Sequence, residues 1–211
     1  MPAHLDHFLA ELKGLKNDEA LLDFCRKRLL HGTPFVFQGR EDAYYEFRKR
    51  IAEKYSIGYE AVVVTGSGKL GFSPHKKTEF SIESDIDVAI TSTELFEEFL
   101  EQTREYQMNL RDSRETVTSR ELEMYHQYLE YIAIGWIRPD KLPNSFRVNE
   151  LRTDWFEFFK SISYGRSEVG NYKVTAGVFR STRHLELYTL SGIKKVHQSL
   201  ILDQDNHEQT D

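Results

Sequence analysis

The sequence is poor in cysteine, in proline and in long apolar runs. It has one cysteine, Cys25, and five prolines among 211 residues. A single cysteine excludes an intramolecular disulfide, and we expect a small buried hydrophobe in a reducing compartment. No apolar run approaches the roughly 20 residues that a membrane-spanning helix needs. The N-terminus has neither a basic start nor an apolar core, so we expect no secretory signal and a cytoplasmic protein without membrane contact.

A basic excess is also absent. The 28 Lys and Arg residues are outnumbered by 34 Asp and Glu, and the net charge is −6. This balance argues against a protein that coats nucleic acid through bulk electrostatics, but it allows a local basic groove. The eight histidines form no H-x-x-x-H or Cys/His cluster, so a zinc site has little support.

Apolar periodicity predicts helices and a few short strands. The class is α+β or α/β, with a small sheet, helices on its faces and a helical N-terminal segment. We divide the chain into that segment (1–58), a main domain (59–202) and a flexible polar tail (203–211). The predicted helices are 17–30, Glu41–Tyr55, a helix from a Ser92 or Thr93 cap to about 110, 113–136, Phe146–Ile162 and Thr182–Leu200. The predicted strands are Ala61–Thr65, Asp85–Thr91 and Tyr172–Arg180.

One stretch, VVVTGSGKLGF (62–72), ends an apolar run in three spaced glycines. A P-loop is excluded because it needs a glycine five positions before the Gly-Lys pair and Ser or Thr after it. Val63 and Leu70 occupy those places. A dinucleotide fingerprint is disfavoured because the residues from Phe72 onward, with Pro74 among them, cannot continue the helix that should hold the pyrophosphate. In addition, the acid that binds the ribose in such a fold should end the second strand, whereas Asp85 and Asp87 begin one.

A third interpretation joins Gly66-Ser67 with Asp85-x-Asp87. Residues i and i+2 of a strand point to the same face, so the two carboxylates project together. Two carboxylates at such a short distance repel each other unless a cation lies between them. Mg²⁺ or Mn²⁺ is the cation that best suits such a site. Gly66 allows the backbone close to a triphosphate, while the Ser67 hydroxyl and nearby N–H groups can hold its terminal oxygens.

These residues resemble the signature of the DNA polymerase β-like nucleotidyltransferase superfamily, which includes small bacterial members. The resemblance covers VVVTGSG and ESDIDVAI, about 30 residues from Ala61 to Ile90. It implies an α+β fold with a small mixed sheet flanked by helices, and transfer of a nucleoside monophosphate from a triphosphate with release of pyrophosphate. Gly66 and Ser67 would bind phosphate, and Asp85 and Asp87 would hold the metal ions and be catalytic.

Two features depart from that family. The spacer between Ser67 and Asp85 has 17 residues, longer than usual. The family commonly supplies a third carboxylate from a later strand, and YKVTAGVFR contains none. Glu150 and Glu186 are the nearest candidates, although each is better explained as a solvated helix residue. The missing carboxylate favours the alternative of a degenerate fold that binds nucleotide or a partner protein without turnover.

The loop between the two half-sites is locally basic. Lys69 is the best candidate to clamp a triphosphate such as ATP, and His75, Lys76 and Lys77 could guide a nucleic-acid strand or simply form a solvated loop. Arg180 is better explained by a surface ion pair than by phosphate binding. We therefore expect an acceptor among RNA, DNA or nucleotides, in an antiviral-defence or toxin setting, with a protein partner encoded by a neighbouring gene.

Overall fold

The computed structural model describes residues 3–114, 116–142 and 149–208. They form a mixed α+β protein in which helices flank a small sheet, as the sequence predicts. The helices are α1 (Ala3–Lys13), α2 (Asp18–Phe24), α3 (Glu41–Tyr55), α4 (Gly66–Leu70), α5 (Thr93–Arg111), α6 (Ser119–Ala133), α7 (Asn149–Ser161) and α8 (Thr182–Glu208). The strands are β1 (Val62–Thr65), β2 (Phe72–Ser73), β3 (Thr78–Glu79), β4 (Ile86–Thr91), β5 (Trp136–Ile137) and β6 (Val174–Phe179).

Four strands form the main sheet, in the order β1-β4-β6-β5. Strand β4 is antiparallel to β1 and parallel to β6, and β5 is antiparallel to β6. The parallel crossover from β4 to β6 carries α5, α6 and α7, which are long enough to return the chain to the same edge. Because β1 and β4 run in opposite directions, the end of β1 lies beside the start of β4.

The two sheet faces are buried in different ways. One face packs against α3, α5, α6 and α7 in the main core, which includes Val64, Ile86, Val88 and Val178. The opposite face is covered only in part, where Ala89 and Phe179 pack against Leu185 of α8. Alternation along each strand therefore places residues such as Asp87 on the less covered face.

The N-terminal helices pack away from the main core. Helices α1 and α2 contact α8 and Phe72 in a separate cluster that contains the buried Cys25. Burial raises the pKa of the Cys25 thiol to about 12, so the thiol stays protonated, as expected for a small buried hydrophobe.

Helix ends follow the sequence signals closely. The Asn17 side chain accepts a hydrogen bond from the Ala20 N–H at 2.9 Å, and Ser92 accepts from the Leu95 N–H at 3.1 Å. Of the two residues that the sequence offers as the cap of α5, Ser92 and Thr93, the structure selects Ser92. Because the Asn17 and Ser92 side chains satisfy amide groups that have no partner within the helix, they fix where α2 and α5 begin.

Three sequence-based boundaries were wrong. The sequence indicated no helix in the glycine stretch, yet Gly66–Leu70 forms a short helix that Gly71 ends with φ +83°. The predicted helix 113–136 is instead α6 followed by the edge strand β5, which pairs Trp136 with Phe179. Helix α8 reaches Glu208 instead of Leu200. The first residues of the predicted helix Phe146–Ile162 lie outside the described residues.

Candidate active site

The predicted site lies where β1 ends and β4 and β6 begin. Thr65, the last residue of β1, pairs with Asp87 of β4. On the other side of β4, Asp87 pairs with Thr175 of β6. One face of the sheet, at one end of its strands, therefore carries the side chains of Thr65, Asp87 and Thr175. Sequence alternation predicted the direction of Asp87, but only the strand pairing shows its neighbours.

Gly66 and Asp87 lie in contact. Gly66 has φ +64°, a left-handed conformation that glycine adopts at little cost. A Cβ placed on Gly66 would lie 2.8 Å from Asp87 Oδ2. The Thr65 hydroxyl also donates to the Asp87 carbonyl at 3.2 Å, which ties the two strand ends together. The glycine at this position therefore leaves room for the carboxylate of Asp87.

Asp87 is an exposed residue whose carboxylate accepts a hydrogen bond from one neighbour and lies near the charge of another carboxylate. Thr175 Oγ1 donates to Asp87 Oδ1 at 2.9 Å. The pKa of Asp87 is raised, and partial loss of hydration is the largest cause. The Thr175 hydrogen bond lowers this pKa, and the nearby charge of Asp85 raises it further. A raised pKa shows that the surroundings disfavour the negative charge, and a bound cation would relieve this cost.

Asp85 lies two residues before Asp87 and has a cationic neighbour. Lys173 Nζ donates to Asp85 Oδ2 at 2.9 Å. The Ile86 N–H donates to the Lys173 carbonyl at 2.8 Å, so the start of β6 is fixed beside the start of β4. The hydrogen bond to Asp85 raises the pKa of Lys173, which keeps the ammonium charged.

Lys69, the predicted triphosphate clamp, has its ammonium group buried. It donates to the carbonyl of His31 and, at 2.7 Å, to that of Gly32. These carbonyls follow a π-helical segment, Cys25–Leu30, and α4 carries Lys69 toward them. The structure therefore gives Lys69 a part in anchoring α4, the helix that begins at Gly66 and Ser67. Its role in nucleotide binding stays a prediction.

Replacing Lys69 with methionine is expected to lower the free energy of unfolding by about 1–3 kcal/mol, because two carbonyls lose their donor. Burial lowers the pKa of Lys69 from 10.5 to about 8. Between these values the unfolded state binds more protons, so the stability of the wild type relative to Lys69→Met should increase as pH rises through this window. Urea unfolding of both proteins from pH 7 to 10.5 measures this difference. A pH-independent difference would contradict the assignment of the shift to Lys69.

The two candidates for a third carboxylate do not complete the site. Glu186 binds Arg26, with Nε–Oε1 and Nη2–Oε2 distances of 2.6 and 2.9 Å, and its pKa is lowered by that bond. Glu150 falls in α7, but its side chain lies outside the described residues. Among the residues that the structure describes, no group of three or more His, Cys, Asp and Glu side chains is placed to hold a metal ion.

Sequence reasoning missed the cationic and aromatic residues beside Asp87. The guanidinium of Arg138 lies 5.2 Å from the ring centroids of both Tyr131 and Trp136, and it is close enough to Asp87 to lower its pKa. Tyr188 of α8 packs on Trp136 with 4.3 Å between the centroids. Because Trp136 was assigned to a helix, the sequence did not indicate that the segment after it brings Arg138 within electrostatic range of Asp87.

The remaining basic residues lie in two different places. His75, Lys76 and Lys77 form the exposed turn between β2 and β3. Arg180 lies beyond the opposite end of β6 and pairs with Glu97 at 3.0 Å. About five residues of strand, roughly 16 Å, separate it from Thr175. The prediction that Arg180 forms a surface ion pair is confirmed.

Comparison with models of known protein families, with curated proteins and with solved structures found no match. None of the described helices has both the length and the apolar character needed to cross a membrane.

Proposed function

We propose that this protein is a metal-dependent nucleotidyltransferase of the DNA polymerase β-like type. It would move a nucleoside monophosphate from an NTP or dNTP to an acceptor hydroxyl and release pyrophosphate. The contact between Gly66 and Asp87 is the observation that carries this proposal. The two residues are 21 positions apart in the sequence, yet the fold joins the strand-Gly-Ser element to the Asp-x-Asp element.

The donor set suits a hard divalent ion. Asp85 and Asp87 present carboxylate oxygens on one side of the sheet, and such oxygens are the preferred ligands of Mg²⁺ and Mn²⁺. The raised pKa of Asp87 also indicates a site that favours a cation. When bound, such an ion would neutralise the charge that builds up on the phosphate during transfer.

The residues of the chain then have separate tasks. Gly66, without a side chain, allows the triphosphate close to the backbone and to Asp87. The Ser67 hydroxyl follows directly and would donate to phosphate oxygens. Arg138, which pairs with Asp140 at 2.7 Å, also lies within electrostatic range of Asp87 and would contribute positive charge near the triphosphate. The acceptor oxygen attacks the α-phosphorus as the bond to the β-phosphate breaks, so positioning and charge neutralisation supply most of the catalysis.

The acceptor that we favour is a nucleic-acid end or a nucleotide, in a cytoplasmic defence or toxin setting. The exposed turn with Lys76 and Lys77 leads, through β3, into the segment that ends at Asp85. Lysines on such a turn contact phosphates without reading sequence. A protein partner encoded nearby would fit the same setting.

If the acceptor is single-stranded nucleic acid, the double variant Lys76→Ala/Lys77→Ala is expected to raise its KM severalfold and leave kcat unchanged. Each phosphate contact contributes about 0.7 to the slope of log K against log salt, so the slope should become shallower by about 1.4. Steady-state kinetics at several salt concentrations measure both quantities. An unchanged slope would show that the turn does not contact the acceptor.

A second candidate function is nucleotide or partner binding without turnover. Thr175 and Lys173 favour it, because they occupy the β6 positions beside Asp87 and Asp85 where a third carboxylate would complete a catalytic set. Without that carboxylate, the group that removes the proton from the acceptor hydroxyl is not defined by the described residues.

The test is incubation with each α-labelled NTP and dNTP, Mg²⁺ or Mn²⁺, and pooled RNA, DNA and nucleotide acceptors. Transfer of label to an acceptor, with release of pyrophosphate, supports the enzyme. Nucleotide binding without transfer under every condition supports the binding module instead. Absence of both binding and transfer rejects the two candidates together.

A further inference from the structure

Two pairs of side chains meet where β4 and β6 begin, one within the strand ladder and one just before it. Thr175 is paired with Asp87 in the parallel ladder, and Lys173 lies two residues earlier, beside Asp85. Each carboxylate therefore has a neighbour of defined chemistry on the adjacent strand. One neighbour is a neutral hydroxyl that donates to Asp87, and the other is an ammonium group that donates to Asp85.

The charges of these side chains limit how much positive charge the site can accept. Asp85, Asp87 and Lys173 together carry a charge of −1. A pair of divalent ions held close together needs several carboxylates to offset their repulsion. Here the Lys173 ammonium already lies 2.9 Å from one oxygen of Asp85, where a second ion would otherwise take a ligand.

We propose that Lys173 takes the place of a second metal ion and restricts this site to one divalent ion, held mainly by Asp87. The inference rests on the proposed function, because that function supplies the reason for a metal site. Lys173 has freedom to act in this way, since its side chain is 51% exposed and that of Asp85 is 42% exposed.

The experiment titrates the full-length protein with Mn²⁺ alone, without nucleotide, and follows the free-ion EPR signal. The wild type should bind one Mn²⁺ that Asp87→Asn loses. Lys173→Met should still bind one ion, with a dissociation constant about five- to tenfold lower, because the competing ammonium is gone. Lys173→Glu should bind two ions, because a third carboxylate replaces the cation.

Lys54→Met is the matched control, since Lys54 forms a similar exposed pair with Asp154 at 2.5 Å. It should bind Mn²⁺ as the wild type does. The inference would be overturned if the wild type bound two Mn²⁺ ions and Asp87→Asn lost both. It would also be overturned if Lys173→Met and the wild type bound Mn²⁺ with equal affinity. Circular dichroism of each variant confirms that it is folded.

The outcome separates this inference from the proposed function. If the Mn²⁺ results hold but no nucleotide is transferred to any acceptor, the assignment of Lys173 stands and the enzymatic proposal falls. If transfer occurs but the wild type binds two ions at Asp85 and Asp87, the enzyme stands and the role of Lys173 falls.

Discussion

Replacing Asp87 by asparagine is expected to reduce nucleotidyl transfer at least a thousandfold while leaving the fold intact. The amide keeps an oxygen that can accept the Thr175 hydrogen bond, but it removes the charge that would hold a divalent ion in the proposed mechanism. Label transfer and pyrophosphate release, measured at saturating Mg²⁺ and again with Mn²⁺, give the size of the loss. Asp85→Asn should show a smaller loss, because Asp85 is already paired with Lys173 and the ion is held mainly by Asp87.

The same substitution should not destabilise the protein. The ordinary pKa of an aspartate is 3.8, and the pKa of Asp87 in the folded protein is higher. At pH values between the two, folding is therefore accompanied by uptake of a proton. The stabilisation this provides is present at low pH and is lost as pH rises, so at pH 7 the ionised carboxylate costs stability. Asp87→Asn should therefore unfold at an equal or higher temperature than the wild type.

Asp154→Asn is the matched control, because Asp154 is a surface carboxylate paired with Lys54. It should retain full transfer activity. Loss of transfer in Asp154→Asn, or retention of transfer in Asp87→Asn, would contradict the assignment of the site. A large fall in the unfolding temperature of Asp87→Asn would instead assign a structural role to its carboxylate.

The second large effect is expected for Gly66→Ala, which should lower transfer about a hundredfold. The added methyl group would meet Asp87 Oδ2 at 2.8 Å, so the carboxylate must move away from the start of α4, where the proposed mechanism places the phosphates. The φ of +64° adds backbone strain of about 1 kcal/mol. Kinetics and thermal unfolding of the same preparation measure the two effects.

Gly39→Ala separates the strain from the contact. Gly39 has a similar φ of +70°, and a Cβ there would meet no atom within 4 Å. Gly39→Ala should lose about the same stability as Gly66→Ala through strain, but it should keep its activity. If both variants lose activity equally, the contact between Gly66 and Asp87 is not what matters for transfer.

The parts of the site that depend on local pattern could be predicted from the sequence. Strand β4 was recognised from its apolar alternation, and that alternation fixed the common direction of Asp85 and Asp87. The buried run before Gly66 likewise identified β1. Cap residues such as Ser92 also act within a few residues, and this is why their positions were right.

The misses concern segments whose structure depends on distant partners. Trp136–Ile137 is a two-residue strand because it pairs with β6, more than 35 residues later. No local pattern identifies so short a strand, and the helical spacing before it continues to the same residues. The short helix at Gly66 was missed because Pro74 indicated irregular chain, although Gly71 ends the helix earlier.

Lys69 is a side chain whose contacts also depend on distant segments. Its place among the glycines suggested a triphosphate ligand, but the structure directs its ammonium group to the carbonyls of His31 and Gly32. Those carbonyls lie more than 35 residues away, so the sequence could not show that the charge already had partners.

The sequence by itself determined that the protein mixes helices with a small sheet, that one strand precedes Gly66 and another contains Asp87, and on which face of its strand Asp87 lies. Hydrophobic periodicity and backbone preference act over a few residues, so they can be read locally. Only the tertiary structure decided that Thr175 and Lys173 donate hydrogen bonds to the carboxylates, that Arg138 lies within electrostatic range of Asp87 and that Lys69 is buried. These contacts arise from strand register and packing between distant segments, and a shift of one residue in register would change all the cross-strand partners.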